Sequence, residues 1–126
     1  MDFWSIAIAA VLGLGLGWLM MRNRDADFSR ISILNREDFI GNMRKGQLVD
    51  IRKTAEYEED RIKGARNFHP RQLTAKVSRL RKDQPVYLYC QNGKKSKRVA
   101  KNLIRKNYHL VYVLDGGLDA YNHKES

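Results

Sequence analysis

Two short β-rich apolar runs, PVYLY (85–89) and LVYVL (110–114), bracket a segment in which Ser96, Val99, Ala100, Leu103 and Ile104 recur at i, i+3, i+4, i+7 and i+8. That spacing lays five side chains along one face of a helix. Apolar runs without alternation are what strands need when both faces of their sheet are covered. Strand, helix and strand in succession predict a mostly parallel sheet with helices packed against it.

The preceding residues repeat the alternation. RISI (30–33), QLVDI (47–51) and ARNF (65–68) read as strands, giving five in all. Between them, REDFIGNM (36–43) reads as a short helix capped by Asn35, with Glu37 and Asp38 at its positive end. TAEYEEDRI (54–62) reads as another, with Thr54 as its cap, and in PRQLTAKVSRL (70–80) Leu73, Val77 and Leu80 share a helical face. GLDAYNHK (117–124) reads as a last short helix.

The N-terminal part is of a different kind. No charged residue occurs from Phe3 to Met21, and a helix of that length is roughly 28 Å long, close to the ~30 Å hydrocarbon core of a bilayer. Trp4 and Trp18 stand near its ends, where amphipathic rings favour the interface. A cleaved signal peptide wants a basic segment before the run and a small-residue site after it. Here Asp2 precedes it, and Leu19, Met20, Met21 and Arg22 follow. The reading is therefore an uncleaved transmembrane anchor (1–21), a polar linker (22–29) and one domain (30–126). Arg22, Arg24 and Arg30 follow the run and no Lys or Arg precedes it, which predicts a single-pass protein of the cell membrane with its C-terminal domain cytoplasmic. Ser5, Ala9, Gly13 and Gly17 form a small-residue stripe that could pair with another membrane helix, in a dimer or with a membrane-protein partner.

Composition removes several function classes. A single cysteine, Cys90, excludes an internal disulfide and a thiolate metal cluster, and His69, His109 and His123 are scattered without ligand spacing. No metal and no cofactor is expected. The formal net charge of +10 admits nucleic acid, anionic lipid or small anions as partners. Nucleic acid is disfavoured, because interleaved exposed aromatics for base stacking are missing.

Cys90 ends the PVYLY run and opens a loop, CQNGKK (90–95), that leads straight into the amphipathic helix. Ligands of open parallel sheets bind beyond the carboxyl ends of the strands. Loop amides, the positive end of the helix and the cations Lys94, Lys95, Lys97 and Arg98 would all favour a thiolate there. Gly93 lets the backbone curl around an anion. The alternative is a buried, inert cysteine beside a solvated basic helix, and residue types alone leave both open.

Four stretches, in order, carry a resemblance that spans most of residues 29–122. LVDIR (48–52) resembles the Asp-x-Arg strand end, EYEEDRIKGARNF (56–68) the Gly-Ala-x-Asn segment, YCQNGKKS (89–96) the Cys-x-x-Gly-x-x-Ser loop, and VLDGGLDAY (113–121) the Gly-Gly segment of the rhodanese-like superfamily. The chain is similar to small single-domain members with an N-terminal membrane anchor.

The resemblance implies a sulfurtransferase. Cys90 would take the outer sulfur of an anionic donor such as thiosulfate, or of a persulfide, and pass it to cyanide or a thiol. Gln91, Asn92, Gly93, Lys94, Lys95 and Ser96 would form the substrate-binding loop, its amides cradling the sulfur. Lys94 and Lys95 would draw in the donor, and the Ser96 hydroxyl would hydrogen-bond within the loop. Asp50 and Arg52 match the family's supporting pair, expected as an ion pair that holds the loops. Related phosphatases have a loop longer by one residue and closed by arginine. Here Lys95 closes it, and lysine cannot fork onto phosphate. Asp60-Arg61 replaces the usual Gly-His, His69 a common proline and Tyr121 a common tryptophan. Gln91 stands where many active members carry arginine, an exchange expected to weaken thiosulfate binding. The competing expectation is a rhodanese-like binding module with an idle Cys90, recruiting a partner at the membrane.

Overall fold

The computed structural model describes residues 2–24, 27–73 and 79–122, with only the backbone described for residues 19–24. Five strands, β1 (Ile31–Leu34), β2 (Gln47–Asp50), β3 (Arg66–Asn67), β4 (Val86–Tyr89) and β5 (Val111–Leu114), form one sheet in the order β1-β5-β4-β2-β3. Every pairing in it is parallel. The helices are α1 (Phe3–Arg24), α2 (Arg36–Asn42), α3 (Thr54–Glu59), α4 (Pro70–Leu73), α5 (Lys94–Arg105) and α6 (Gly117–Asn122).

The alternation of side chains along β4 divides the core. Val86, Leu88 and Cys90 point to one face of the sheet, where Val99, Ala100, Leu103 and Ile104 of α5 cover them. Tyr87 and Tyr89 point to the other, among Phe39, Met43, Leu48, Ile62 and Leu118. Both faces are covered, so all four residues of β4 are buried. Tyr87 stacks on its register partner Tyr112 with ring centroids 4.7 Å apart, and Phe39 meets Tyr87 edge-on at 5.7 Å.

Local chemistry explains most boundaries. Asn35 caps α2, its Oδ1 accepting the Asp38 amide at 2.8 Å. The expected cap at Thr54 is corrected. Thr54 is the first helical residue of α3, Lys53 precedes it, and the Thr54 hydroxyl donates instead to Asn67 Oδ1 at 3.3 Å. Asn67 ties the segment down, its Nδ2 donating to the carbonyls of Asp50 and Arg52. The helix begun at Pro70 is described only to Leu73, so the expected facing position Val77 lies outside the described residues. Leu73 and Leu80 are both buried.

The expected transmembrane helix over Phe3–Met21 finds no support as a span. Among the described residues, no helix is long and apolar enough to cross a membrane. What α1 does show is exposure: Phe3, Trp4, Ile6, Ile8, Val11, Leu12, Leu14, Leu16 and Trp18 are 58–81% exposed. The helix also runs on to Arg24, into the expected linker, and a turn of 3-10 helix at Phe28–Arg30 leads into β1.

Candidate active site

At the carboxyl end of the sheet, the Ile51 amide donates to the Tyr89 carbonyl at 3.1 Å, so β2 and β4 deliver Arg52 and Cys90 side by side. Cys90 continues the period of Val86 and Leu88, which turns its sulfur toward the first turn of α5. Gly93 precedes that helix with φ 89° and has no side chain to cap it. The cysteine sulfur takes the capping role, accepting the amides of Gly93 at 3.1 Å and of Ser96 at 3.4 Å. These are donors a helix start leaves without partners, and they carry its positive end.

Cys90 is 3% exposed and Ser96 is fully buried. The thiol donates to Ser96 Oγ at 3.3 Å, and the Ser96 hydroxyl donates on to the Gly93 carbonyl at 3.1 Å. Of the expected cradle, therefore, Gly93 and Ser96 meet the sulfur. The Lys94 amide goes to Asn92 Oδ1 at 3.0 Å instead, and among the described residues the amides of Gln91, Asn92 and Lys95 make no bond to it.

The Gly-Gly segment turns the loop. The amides of Leu118 and Asp119, at the start of α6, donate to the carbonyls of Cys90 at 2.8 Å and Gln91 at 3.0 Å. With those carbonyls held outward, the amides that follow can face the sulfur. The close approach requires Gly117 (φ 62°): a Cβ there would lie 2.4 Å from the Cys90 carbonyl oxygen.

Asp50 is fully buried and Arg52 is 7% exposed. Arg52 Nη2 and Nε donate to the Asp50 carboxylate at 2.9 and 3.1 Å, and the Arg52 amide donates to Asp50 Oδ1 at 2.7 Å. Arg52 Nη2 also donates to the Asp60 carbonyl, and Nη1 to Gln91 Oε1 at 2.9 Å. Gln91 Nε2 in turn donates to the Asp119 carboxylate. Gln91 thus links β2 to α6 across the loop. Burial alone would lower the Arg52 ionisation range, but the hydrogen-bonded Asp50 carboxylate carries it above the ordinary value.

A cleft of about 200 Å³ opens onto the loop, lined by Ile51, Arg52, Lys53, Glu56, Cys90, Gln91, Asn92 and Lys95. A neighbouring one of about 240 Å³ shares Arg52, Glu56 and Gln91 and adds Glu59, Asp60, Leu118 and Asn122. Lys95 lines the first cleft, and Lys94 lines neither. Sequence reading missed Lys53, Glu56 and Asp119. The first two follow the Asp-x-Arg stretch, which was the available signal for them. Asp119 had none, since its contact with Gln91 joins residues far apart in the chain.

Tyr89 lies beneath this site, its hydroxyl accepting the Ile62 amide at 3.2 Å. Burial first, and then the Asp50 carboxylate, push its phenol far above the ordinary tyrosine range, despite the opposing Ile62 bond. Burial and then Tyr112 push Tyr87 the same way. An acid with a raised folded-state value keeps its proton when the unfolded chain has lost it. Its stabilisation is thus complete below about pH 10 and is lost as the pH rises above that. Denaturation in urea at increasing pH is expected to show stability falling from about pH 10 at up to ~1.4 kcal/mol per pH unit for Tyr89. Phenolate absorbance of Tyr89 should appear only with unfolding.

The described residues thus build a parallel five-stranded α/β sheet with a cysteine loop at its carboxyl edge and a Gly-Gly turn packed on that loop. The Rhodanese-like domain family matches residues 35–124, and the chain belongs to that family. It is 41% identical over 91 residues to the uncharacterized protein YqhL of Bacillus subtilis, covering 72% of each chain. It is 31% identical over 74 residues to the thiosulfate sulfurtransferase GlpE of Coxiella burnetii, covering 59% of this chain and 69% of that one. A crystal structure of a rhodanese-like domain protein from Staphylococcus aureus superposes with a TM-score of 0.65 at 18% identity, over 72% of this chain and 91% of the other.

Proposed function

We propose that the protein is a sulfurtransferase that carries sulfur on Cys90. The observation behind this reading is the pair of amides, from Gly93 and Ser96, aimed at a sulfur on the wall of an open cleft. The Cys90 thiolate attacks the outer sulfur of thiosulfate. The S–S bond breaks, sulfite leaves with its electron pair, and a persulfide remains. Cyanide or a thiolate then attacks the terminal sulfur, the new S–S bond breaks, and the Cys90 thiolate returns. Amides that already hold the thiol strengthen their bonds as sulfur gains charge, so they favour the anionic states on either side of each transfer. Lys53 and Lys95 supply positive potential for an anionic donor, and Gln91, tied to Arg52 and Asp119, stays at the rim.

Incubation with thiosulfate and then cyanide is expected to give thiocyanate. Intact mass should show one added sulfur on the native chain and none on Cys90→Ser, which loses turnover by a factor of 10³ or more (order of magnitude for a lost nucleophile). The 3% exposure of Cys90 favours a second reading, a binding module with an idle thiol. Failure of thiosulfate and of a small persulfide alike to leave sulfur on Cys90 would decide for that module.

We further propose that α1 attaches the domain to the cell membrane, with the domain on the cytoplasmic side. Leu19, Met20 and Met21 continue the uncharged run beyond Trp18, and the large apolar side chains from Phe3 to Trp18 are exposed. Extraction of membranes with alkaline carbonate should leave the chain in the pellet, and a cytoplasmic reporter fused after Ser126 should be active. A soluble chain or a silent reporter would remove the attachment without touching the sulfur chemistry.

A further inference from the structure

Helix α5 contains six cations and no acidic residue. Lys94, Arg98, Lys101 and Arg105 fall at i, i+4, i+7 and i+11, so they form one straight stripe, with Lys97 at its flank. All five are exposed. Like charges spaced this way repel, and lysines in a first turn oppose the helix dipole. The buried face, Val99, Ala100, Leu103 and Ile104, offsets that cost in the free protein. Among the described residues only Lys97 of this set meets a carboxylate, Asp115 at 3.8 Å, and none of the four stripe residues forms an ion pair.

The neighbourhood of the stripe indicates what would neutralise it. Arg105 stands over the Phe28 ring, 5.3 Å from its centroid. Phe28 opens the 3-10 turn that follows α1 in the chain, so the domain is entered from the apolar helix at the far end of α5. A line of exposed cations therefore starts beside the point where an exposed apolar helix joins the domain. We infer that this face of α5 docks on an anionic phospholipid surface, the occupant that matches a flat row of positive charge and an adjoining apolar helix together. The inference goes beyond sulfur transfer and does not require α1 to span the bilayer. It would turn α5, and the Cys90 loop at its start, toward the membrane.

The test uses the full chain with vesicles of phosphatidylcholine, alone or mixed with phosphatidylglycerol, and reads amine acylation residue by residue. Mixed vesicles are expected to reduce labelling of Lys97 and Lys101 by a factor on the order of three or more, while Lys45 and Lys63 on other surfaces react as before. At about 1 M salt, where the screening length is ~3 Å, the protection should vanish. Lys101→Glu with Arg105→Glu should abolish protection of Lys97 and leave thiocyanate formation unchanged, which also shows that the variant is folded. Equal labelling of Lys97 and Lys101 on both kinds of vesicle overturns the inference even if the chain floats with both, since flotation on neutral lipid reports α1. Protection by duplex DNA but not by mixed vesicles also overturns it.

Discussion

Gly117→Ala is expected to cost about 3 kcal/mol or more, from a left-handed backbone and a forced backbone contact together. The glycine has φ 62°, and its added carbon would sit 2.4 Å from the Cys90 carbonyl oxygen and 2.7 Å from the Gln91 carbonyl carbon and oxygen. Both neighbours are main chain, so relief requires the loop to move away from α6. That movement breaks the Leu118 and Asp119 hydrogen bonds to the loop carbonyls, and with them the orientation of the Gly93 and Ser96 amides. Thiocyanate formation should therefore fall further than the folded fraction does. Urea denaturation read by circular dichroism gives the stability, and turnover in the absence of urea gives the second effect. Gly41→Ala serves as the control: it lies in α2 with nothing within 4 Å of the new carbon, and should gain up to about 1 kcal/mol from helix propensity. If Gly117→Ala behaves like Gly41→Ala, the Gly-Gly turn does not hold the loop.

Asp50→Ala should be at least as damaging, about 3–5 kcal/mol, because it leaves a buried guanidinium without its carboxylate. The side chains of Arg52 and Asp50 are 5% and 0% exposed, and they meet at 2.9 Å. Removal of the carboxylate strands the Arg52 side chain between the Asp60 carbonyl and Gln91. A domain of this size loses about 4–8 °C of Tm for each kcal/mol, so the melting point should drop by ~12 °C or more. Replacing both partners together, Asp50→Leu with Arg52→Met, should recover much of that loss, since apolar pairs of similar volume often match buried ion pairs. A double variant as unstable as Asp50→Ala would mean that the hydrogen bonds of the pair to the backbone, rather than its charges, hold the loops.

The α/β character and the five strands were legible from the chain because they depend on local pattern. The spacing of Ser96, Val99, Ala100, Leu103 and Ile104 marked the buried face of α5, and all five are buried. Strand edges were off by a residue: Arg30 lies in the 3-10 turn, and β1 runs from Ile31 to Leu34. Thr54 carried a capping residue type, but Asn67, brought alongside by the pairing of β2 and β3, drew its hydroxyl away. The uncharged run at the N-terminus was equally plain as composition, but among the described residues no helix is long and apolar enough to cross a membrane.

At the candidate site, the position of Cys90 between an apolar strand and a basic helix, with Gly93 in the loop, was apparent from residue order alone, whereas the pairing of Asp50 with Arg52 came from the resemblance to the rhodanese-like superfamily. Which amides reach the sulfur was decided by the tertiary structure, because Asn92 competes for the Lys94 amide and α6 holds two of the loop carbonyls. The same holds for the Arg52–Gln91–Asp119 chain, whose members come from β2, the loop and α6. Periodicity and residue type act over a few neighbouring positions and so can be read along the chain. The direction of an amide or the partner of a buried charge depends on groups that meet only after the sheet has closed.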